Sequence, residues 1–154
     1  MSQSLAQMWI HIIFSTKNRY PFLIQPDLQL RVHNYINAIC HKLQCNSIIV
    51  GGIADHVHIL THLHKNISLS QLVEKIKKSS SKWIKTIDTS DCILNKFYWQ
   101  RGYAAFSVSQ SKLEAVRLYI ENQQKHHQKQ SFQDELRKFL LQYDVKYDEK
   151  HIWD

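Results

Sequence analysis

Two short apolar runs, NSIIVGG (46–52) and DHVHILTH (55–62), lie either side of a connection only two residues long. Each is rich in β-branched residues and reads as a strand. A connection this tight joins antiparallel neighbours, because a parallel pair needs a crossover of a dozen residues or more. The hairpin therefore commits the chain to an antiparallel sheet, and the remaining segments have to pack around it.

MWIHIIFST (8–16) reads as an earlier strand, followed by KNRYPFLIQP (17–26), a loop with two prolines. Asp27 is expected to cap a helix with Leu28, Val32, Tyr35, Ile36, Ile39 and Leu43 on its apolar side. Ser68 and Gln71 form a capping box before a helix that turns Leu69, Leu72, Val73, Ile76, Trp83 and Ile84 inward. FYWQRGYAAFSVS (97–109) is expected to be extended, with a break near Arg101 and Gly102. Ser111 with Glu114 is expected to box a helix running to about His126. Ser131 with Asp134 opens a last helix carrying Leu136, Phe139, Leu140 and Tyr143, and YDEKHIWD closes the chain as an irregular tail. The order β-α-β-β-α-β-α-α points to an α+β fold. Its expected form is a ferredoxin-like antiparallel sheet with helices packed on one face, plus a C-terminal tyrosine-bearing helix, all within one domain, 1–154.

Composition narrows the function. The chain has 154 residues and 20 Lys and Arg against 13 acids, a net charge of +7, which suits a polyanionic partner and nucleic acid first. Gly51, Gly52 and Gly102 are its only glycines, too few for a Walker loop or a dinucleotide-binding loop, so no nucleotide cofactor is expected. Cys40, Cys45 and Cys92 are odd in number and form no C-x-x-C, which argues against a disulfide framework or zinc ribbon. No apolar run spans a membrane and no signal peptide is visible in MSQSLAQ, so a cytoplasmic location is expected.

Four histidines, His56, His58, His62 and His64, fall at even spacings and share a face if the strand continues. Two histidines one residue apart on a strand project side by side and can bind one divalent cation. Ten histidines give roughly 0.6 H-x-H matches by chance, so a solvated strand face is the plain alternative. Context favours His56 and His58, because Val57 and Ile59 can bury the opposite face there. His62 and His64 run out into Lys65 and Asn66, where the strand should fray. Asp55 is placed to orient one imidazole.

In SKLEAVRLYIENQQKHH (111–127), Tyr119 and Gln123 are four apart at the edge of a stripe of Leu113, Val116 and Ile120. The plain reading is an amphipathic helix with a boundary tyrosine. The chemical reading pairs it with the histidines. A cation held by imidazoles and the Gln123 amide oxygen polarises a phosphodiester, and Tyr119 attacks phosphorus in line. The phosphotyrosine keeps the energy of the broken bond, so the step reverses without ATP.

DHVHIL resembles the H-hydrophobic-H motif of the HUH endonuclease superfamily. LYIENQ resembles the Tyr-x-x-x-Gln helix of its single-tyrosine transposases, small enzymes of one class of bacterial insertion sequences. Relatives associated with repetitive extragenic palindromes share both motifs. WIHIIFSTKNRYP, LSQLVEKIKKSSSKWI and YWQRGYAAFSVS resemble the family's first strand and basic loop, its mid-chain helix and the strands before the tyrosine helix. The resemblance covers nearly the whole chain in the same order. It implies cleavage and rejoining of single-stranded DNA at hairpin-bearing element ends through a 5′-phosphotyrosine, with Mg²⁺ or Mn²⁺. By position it implies His56, His58 and Gln123 as metal ligands and Tyr119 as nucleophile. It also implies a homodimer of joined sheets, in which the tyrosine helix can serve the partner's site.

For DNA contacts, Lys75, Lys78, Lys82 and Lys85 fall on one side of a helix and Lys77 lies off that row. Lys17, Arg19 and Arg101 are further candidates, and Tyr20, Phe22, Tyr98 and Trp99 are aromatic groups that can stack on unpaired bases. Two other classes fit the same residues: a non-catalytic nucleic-acid-binding module with an antiparallel sheet, and a metal-dependent phosphodiesterase that uses water.

Overall fold

The computed structural model describes residues 2–87 and 92–154. Strands β1 (Trp9–Ser15), β2 (Ser47–Ile53), β3 (His56–His62) and β4 (Ala104–Val108) form one antiparallel sheet in the order β2-β3-β1-β4. Helices α1 (Pro26–Lys42) and α2 (Leu69–Ile84) follow β1 and β3, which gives the ferredoxin-like α+β arrangement. Period-two alternation sorts the strands. Ile12 and Phe14 of β1 and Val57 and Ile59 of β3 face a core completed by Val32 and Ile36 of α1 and Leu72, Val73, Ile76 and Ile84 of α2. His11 and Ile13 of β1, with His56, His58 and Leu60 of β3, alternate with these toward the other face. There α3 (Leu113–Glu121), α4 (Gln123–His126) and α5 (Phe132–Gln142) cover them.

The glycine pair brings the tyrosine helix to the sheet. A Cβ on Gly51 would sit 2.7 Å from Ile120 Cγ2 and 3.0 Å from the Ile120 carbonyl oxygen, so α3 lies directly on β2. Gly52 has φ +143°, and a Cβ there would meet the His56 carbonyl oxygen at 2.2 Å. Gly52→Ala is expected to destabilise the fold by roughly 1–3 kcal/mol from the backbone conformation alone, with the clash in addition. A urea melt should show the lower midpoint.

Three helix-boundary expectations need correction. Asp27 does not cap α1: Gln25 is the N-cap and Pro26 takes the first helical position, where its fixed φ starts the turn, leaving Asp27 as a first-turn acid. The Ser111–Glu114 box does not form. Gln110–Lys112 make a 3₁₀ turn, Ser111 pairs with the Ser109 hydroxyl, and Glu114 is taken by Arg117 at 2.8 Å. The helix from 113 does not run unbroken to His126. It stops at Asn122 (φ −95°, ψ 21°), whose side-chain amide donates to the Leu118 carbonyl and competes with the helical ladder. The boxes at Ser68 and Gln71 and the cap at Ser131 form as expected.

The break near Arg101 and Gly102 is braced by Lys77. Its ammonium donates to the carbonyls of Gln100 (2.8 Å), Arg101 (3.1 Å) and Gly102 (2.6 Å) and lies 4.9 Å from the centroid of the Phe14 ring. Burial pushes its pKa down to about 8, yet three carbonyl acceptors match the three donors of the charged form. Lys77→Met keeps the packing and leaves those acceptors unpaired. It is expected to cost roughly 1.5–3 kcal/mol, read as a lower denaturation midpoint at unchanged slope.

Candidate active site

His56 and His58 are fully buried beneath the C-terminal helices. β3 is paired on both edges, so its backbone holds both imidazoles rigidly. His56 Nδ1 lies 2.7 Å from Asp55 Oδ1, which can only accept, so Nδ1 carries a proton and Nε2 is turned into the site. This is the orienting role expected of Asp55. His58 Nδ1 lies 2.8 Å from Nε2 of His11, a buried residue of β1 that the sequence reading passed over.

Tyr119 and Gln123 meet this pair from above. The Tyr119 ring centroid is 5.9 Å from that of His58 in the same chain. Gln123 is buried, with Oε1 3.0 Å from His56 Nε2. The break at Asn122 separates the two residues, but both still reach the site. His62 and His64 do not. His62 packs edge-on to Trp9 at 5.7 Å, and His64 lies beyond β3 and accepts the Asn66 N–H at 3.2 Å.

Two further residues belong to the site. Glu135 of α5 is 1% exposed and sits among all the others. Its Oε1 lies 2.8 Å from His58 Nε2 and 3.5 Å from His56 Nε2. Its Oε2 accepts the Tyr119 hydroxyl and, at 3.1 Å, the Gln123 amide N–H. His127 Nε2 is 3.1 Å from the same oxygen but makes no directed hydrogen bond to it. Ligand atoms of His56, His58, His127 and Glu135 all fall within 4.8 Å of one another, a spacing that one divalent ion can bridge.

Residues 4–123, well over half of the chain, match the model of the family described as "Transposase IS200 like". The chain belongs to the IS200-like transposase family. No curated protein matches it. Among solved structures, a "putative transposase" of Deinococcus radiodurans R1 aligns at 18% identity and TM-score 0.58, over 80% of this chain and 98% of that one. A REP-associated tyrosine transposase, solved bound to a REP hairpin, aligns at 16% identity and TM-score 0.52, over 82% of this chain and 74% of that one. At these identities the two structures show a shared fold.

In this transposase the charges of the site are interlocked. Burial opposes charge on His56, but the hydrogen bonds and charges of Asp55 and Glu135 outweigh it and raise its pKa to about 9. Burial also governs His58, whose pKa falls to about 4 despite Glu135. Burial favours a neutral Glu135, yet the imidazoles of His127, His56 and His58 around its carboxyl hold it far below the usual carboxylate range. Burial and then the Glu135 charge push the Tyr119 hydroxyl well above its ordinary value. The Tyr119 hydroxyl therefore keeps its proton in these surroundings.

A cavity of about 520 Å³ opens beside the transposase site, lined by Lys17, Tyr98, Arg101 and Trp153 among others. The Trp153 ring packs on Phe132 (6.5 Å between centroids), and Phe132 packs on His56 (4.8 Å). Arg19 stacks on Trp153 and leaves Nη1 without a partner. Lys85 Nζ is 3.8 Å from the centroid of the half-exposed Tyr98 ring, and Lys17 Nζ 5.8 Å. Lys75, Lys78 and Lys82 are exposed along α2. Of the other aromatics, Tyr20 is exposed, whereas Phe22 packs against the core and Trp99 is buried on Phe14. Among the described residues no helix is long and apolar enough to cross a membrane.

Proposed function

We propose that the protein is a metal-dependent DNA transposase that cleaves and rejoins single-stranded DNA at hairpin-bearing ends through a 5′-phosphotyrosine on Tyr119. One observation carries the reading: a tyrosine hydroxyl, two strand histidines and a glutamine amide converge on a single buried point, in a chain of the transposase family. The donor set fits a divalent cation. His56 and His127 each have Nδ1 directed at an oxygen that only accepts, Asp55 Oδ1 and the Gln130 carbonyl, so both turn Nε2 inward as the atom that can bind a cation. The Gln123 amide gives its N–H to Glu135 and turns Oε1 to the same place. Nitrogen and oxygen atoms facing one another in a buried site are held together by positive charge, a proton or a metal ion, between them.

His56, His58 and Gln123 would hold Mg²⁺ or Mn²⁺ there, and the ion would polarise the scissile phosphate. The chain's own residues do the rest. Tyr119 attacks phosphorus while Phe139 and His126 hold its ring, edge-on at 5.5 Å and stacked at 4.5 Å. The bond from phosphorus to the 3′ oxygen breaks, and that 3′ hydroxyl is retained for rejoining. Lys17, Arg19 and Arg101 would take the strand's phosphates beside the site, and Lys75, Lys78, Lys82 and Lys85 the more distant backbone, in a homodimer.

The test is a labelled single-stranded hairpin incubated with the protein and Mn²⁺, then denatured. A labelled protein band supports the proposal. Cleavage without a labelled band would instead indicate a water-using phosphodiesterase, and metal-independent binding without cleavage a binding module.

A further inference from the structure

The family match ends at Gln123, but the buried site does not. We propose that the segment after it supplies two further metal ligands, His127 and Glu135, so that this chain holds an ion of the Mn²⁺ or Zn²⁺ class in preference to Mg²⁺. The inference rests on the metal-dependent reading of the same site and adds the ligands and the metal class.

Geometry argues for both residues. His127 Nδ1 is committed to the Gln130 carbonyl at 2.9 Å, and its Nε2 is a buried nitrogen without a hydrogen-bond partner, turned toward Glu135. A buried ring nitrogen without a hydrogen-bond partner beside a carboxylate is costly unless a cation lies between them. The two oxygens of Glu135 divide the work. Oε1 faces the Nε2 atoms of His56 and His58, where it would bind metal, and Oε2 accepts the Tyr119 hydroxyl. One carboxylate thereby ties the nucleophile to the ion, and Glu135 is a positioning residue for Tyr119 as well as a ligand. Three imidazoles, one carboxylate and the Gln123 amide oxygen suit Zn²⁺ or Mn²⁺, whereas Mg²⁺ keeps several waters and is seldom held by an all-protein cage. Backing the ligands, Asp55 and His11 fix the rings of His56 and His58 from behind.

The experiment is calorimetric titration of the full chain with Mn²⁺, Zn²⁺ and Mg²⁺, with Co²⁺ absorption as a report of ligand geometry. Wild type is expected to bind one equivalent of Zn²⁺ or Mn²⁺ and to bind Mg²⁺ at least tenfold more weakly. Glu135→Gln and His127→Asn are each expected to weaken Mn²⁺ binding by ~10-fold or more and to change the Co²⁺ spectrum. Glu135→Asp, which keeps the charge, provides a second variant if Glu135→Gln does not fold. Wild-type affinity in both Glu135→Gln and His127→Asn, with binding lost in His58→Ala, would overturn the inference and leave the metal-dependent reading standing. Equal affinity for Mg²⁺ would overturn the metal class. No binding of any of the three ions by wild type would sink the inference together with the reading beneath it.

Discussion

Tyr119→Phe is expected to abolish the covalent protein–DNA band while leaving hairpin binding within about twofold of wild type. The substitution removes one oxygen. The ring keeps its contacts with His126, Phe139 and His58, so the helix should stay in place. What is lost is the proposed nucleophilic atom, and removal of a nucleophile costs on the order of 10⁶-fold elsewhere, far below detection in a gel assay. Binding should persist, because phosphate contacts supply most of the affinity and none of the basic candidates lies on α3. The variant also leaves the buried Glu135 Oε2 without the Tyr119 donor, so a modest fall in stability, about 1–3 kcal/mol, should accompany it. A melting curve separates that effect from chemistry. A covalent band of unchanged strength in a folded Tyr119→Phe protein would assign the nucleophile elsewhere.

The antiparallel hairpin and the shared face of His56 and His58 were legible because period two is a local property. Val57 and Ile59 had to face the α1–α2 core, so the histidines had to face away from it. The Ser68–Gln71 box was legible for the same reason, its two hydrogen bonds lying within four residues. Glu135 was not, since its partners are 77 residues away at His58 and 16 away at Tyr119. A signal for it did exist. It sits between Phe132 and Phe139 on the buried side of α5, next to Leu136, and an acid on an apolar stripe needs buried partners. His127 was hidden in the basic run KHHQK, where its fate depends on the chain bending at Asn122. His11 alternates with Ile10 and Ile12 and looked like any strand residue. Only the β1–β3 register, with Ile13 opposite His58, brings its ring to that imidazole.

His58→Ala and His56→Ala are expected to remove metal-dependent cleavage, whereas His62→Ala should not. Loss of an outer partner of a metal ligand typically costs 10- to 100-fold in affinity, so loss of a ligand itself should exceed about 100-fold. The two variants should differ in stability. His56→Ala leaves Asp55 Oδ1, partly exposed, free to turn to water. His58→Ala strands His11 Nε2 in a fully buried setting and opens a cavity between β1 and α5, so it should be the less stable of the two. His62 packs on Trp9 at the end of β3, and among the described residues it makes no hydrogen bond or ion pair with Glu135 or Gln123. Its replacement should leave Mn²⁺ affinity within about twofold, the ordinary range for a substitution outside the site. Titration of the three variants with Mn²⁺, alongside the covalent assay, checks this ordering. A His62→Ala protein as impaired as His58→Ala would mean that the four histidines at 56, 58, 62 and 64 act as one face. In the structure that face is interrupted, because Leu60 stands between His58 and His62 and packs beneath Ile120 of the tyrosine helix.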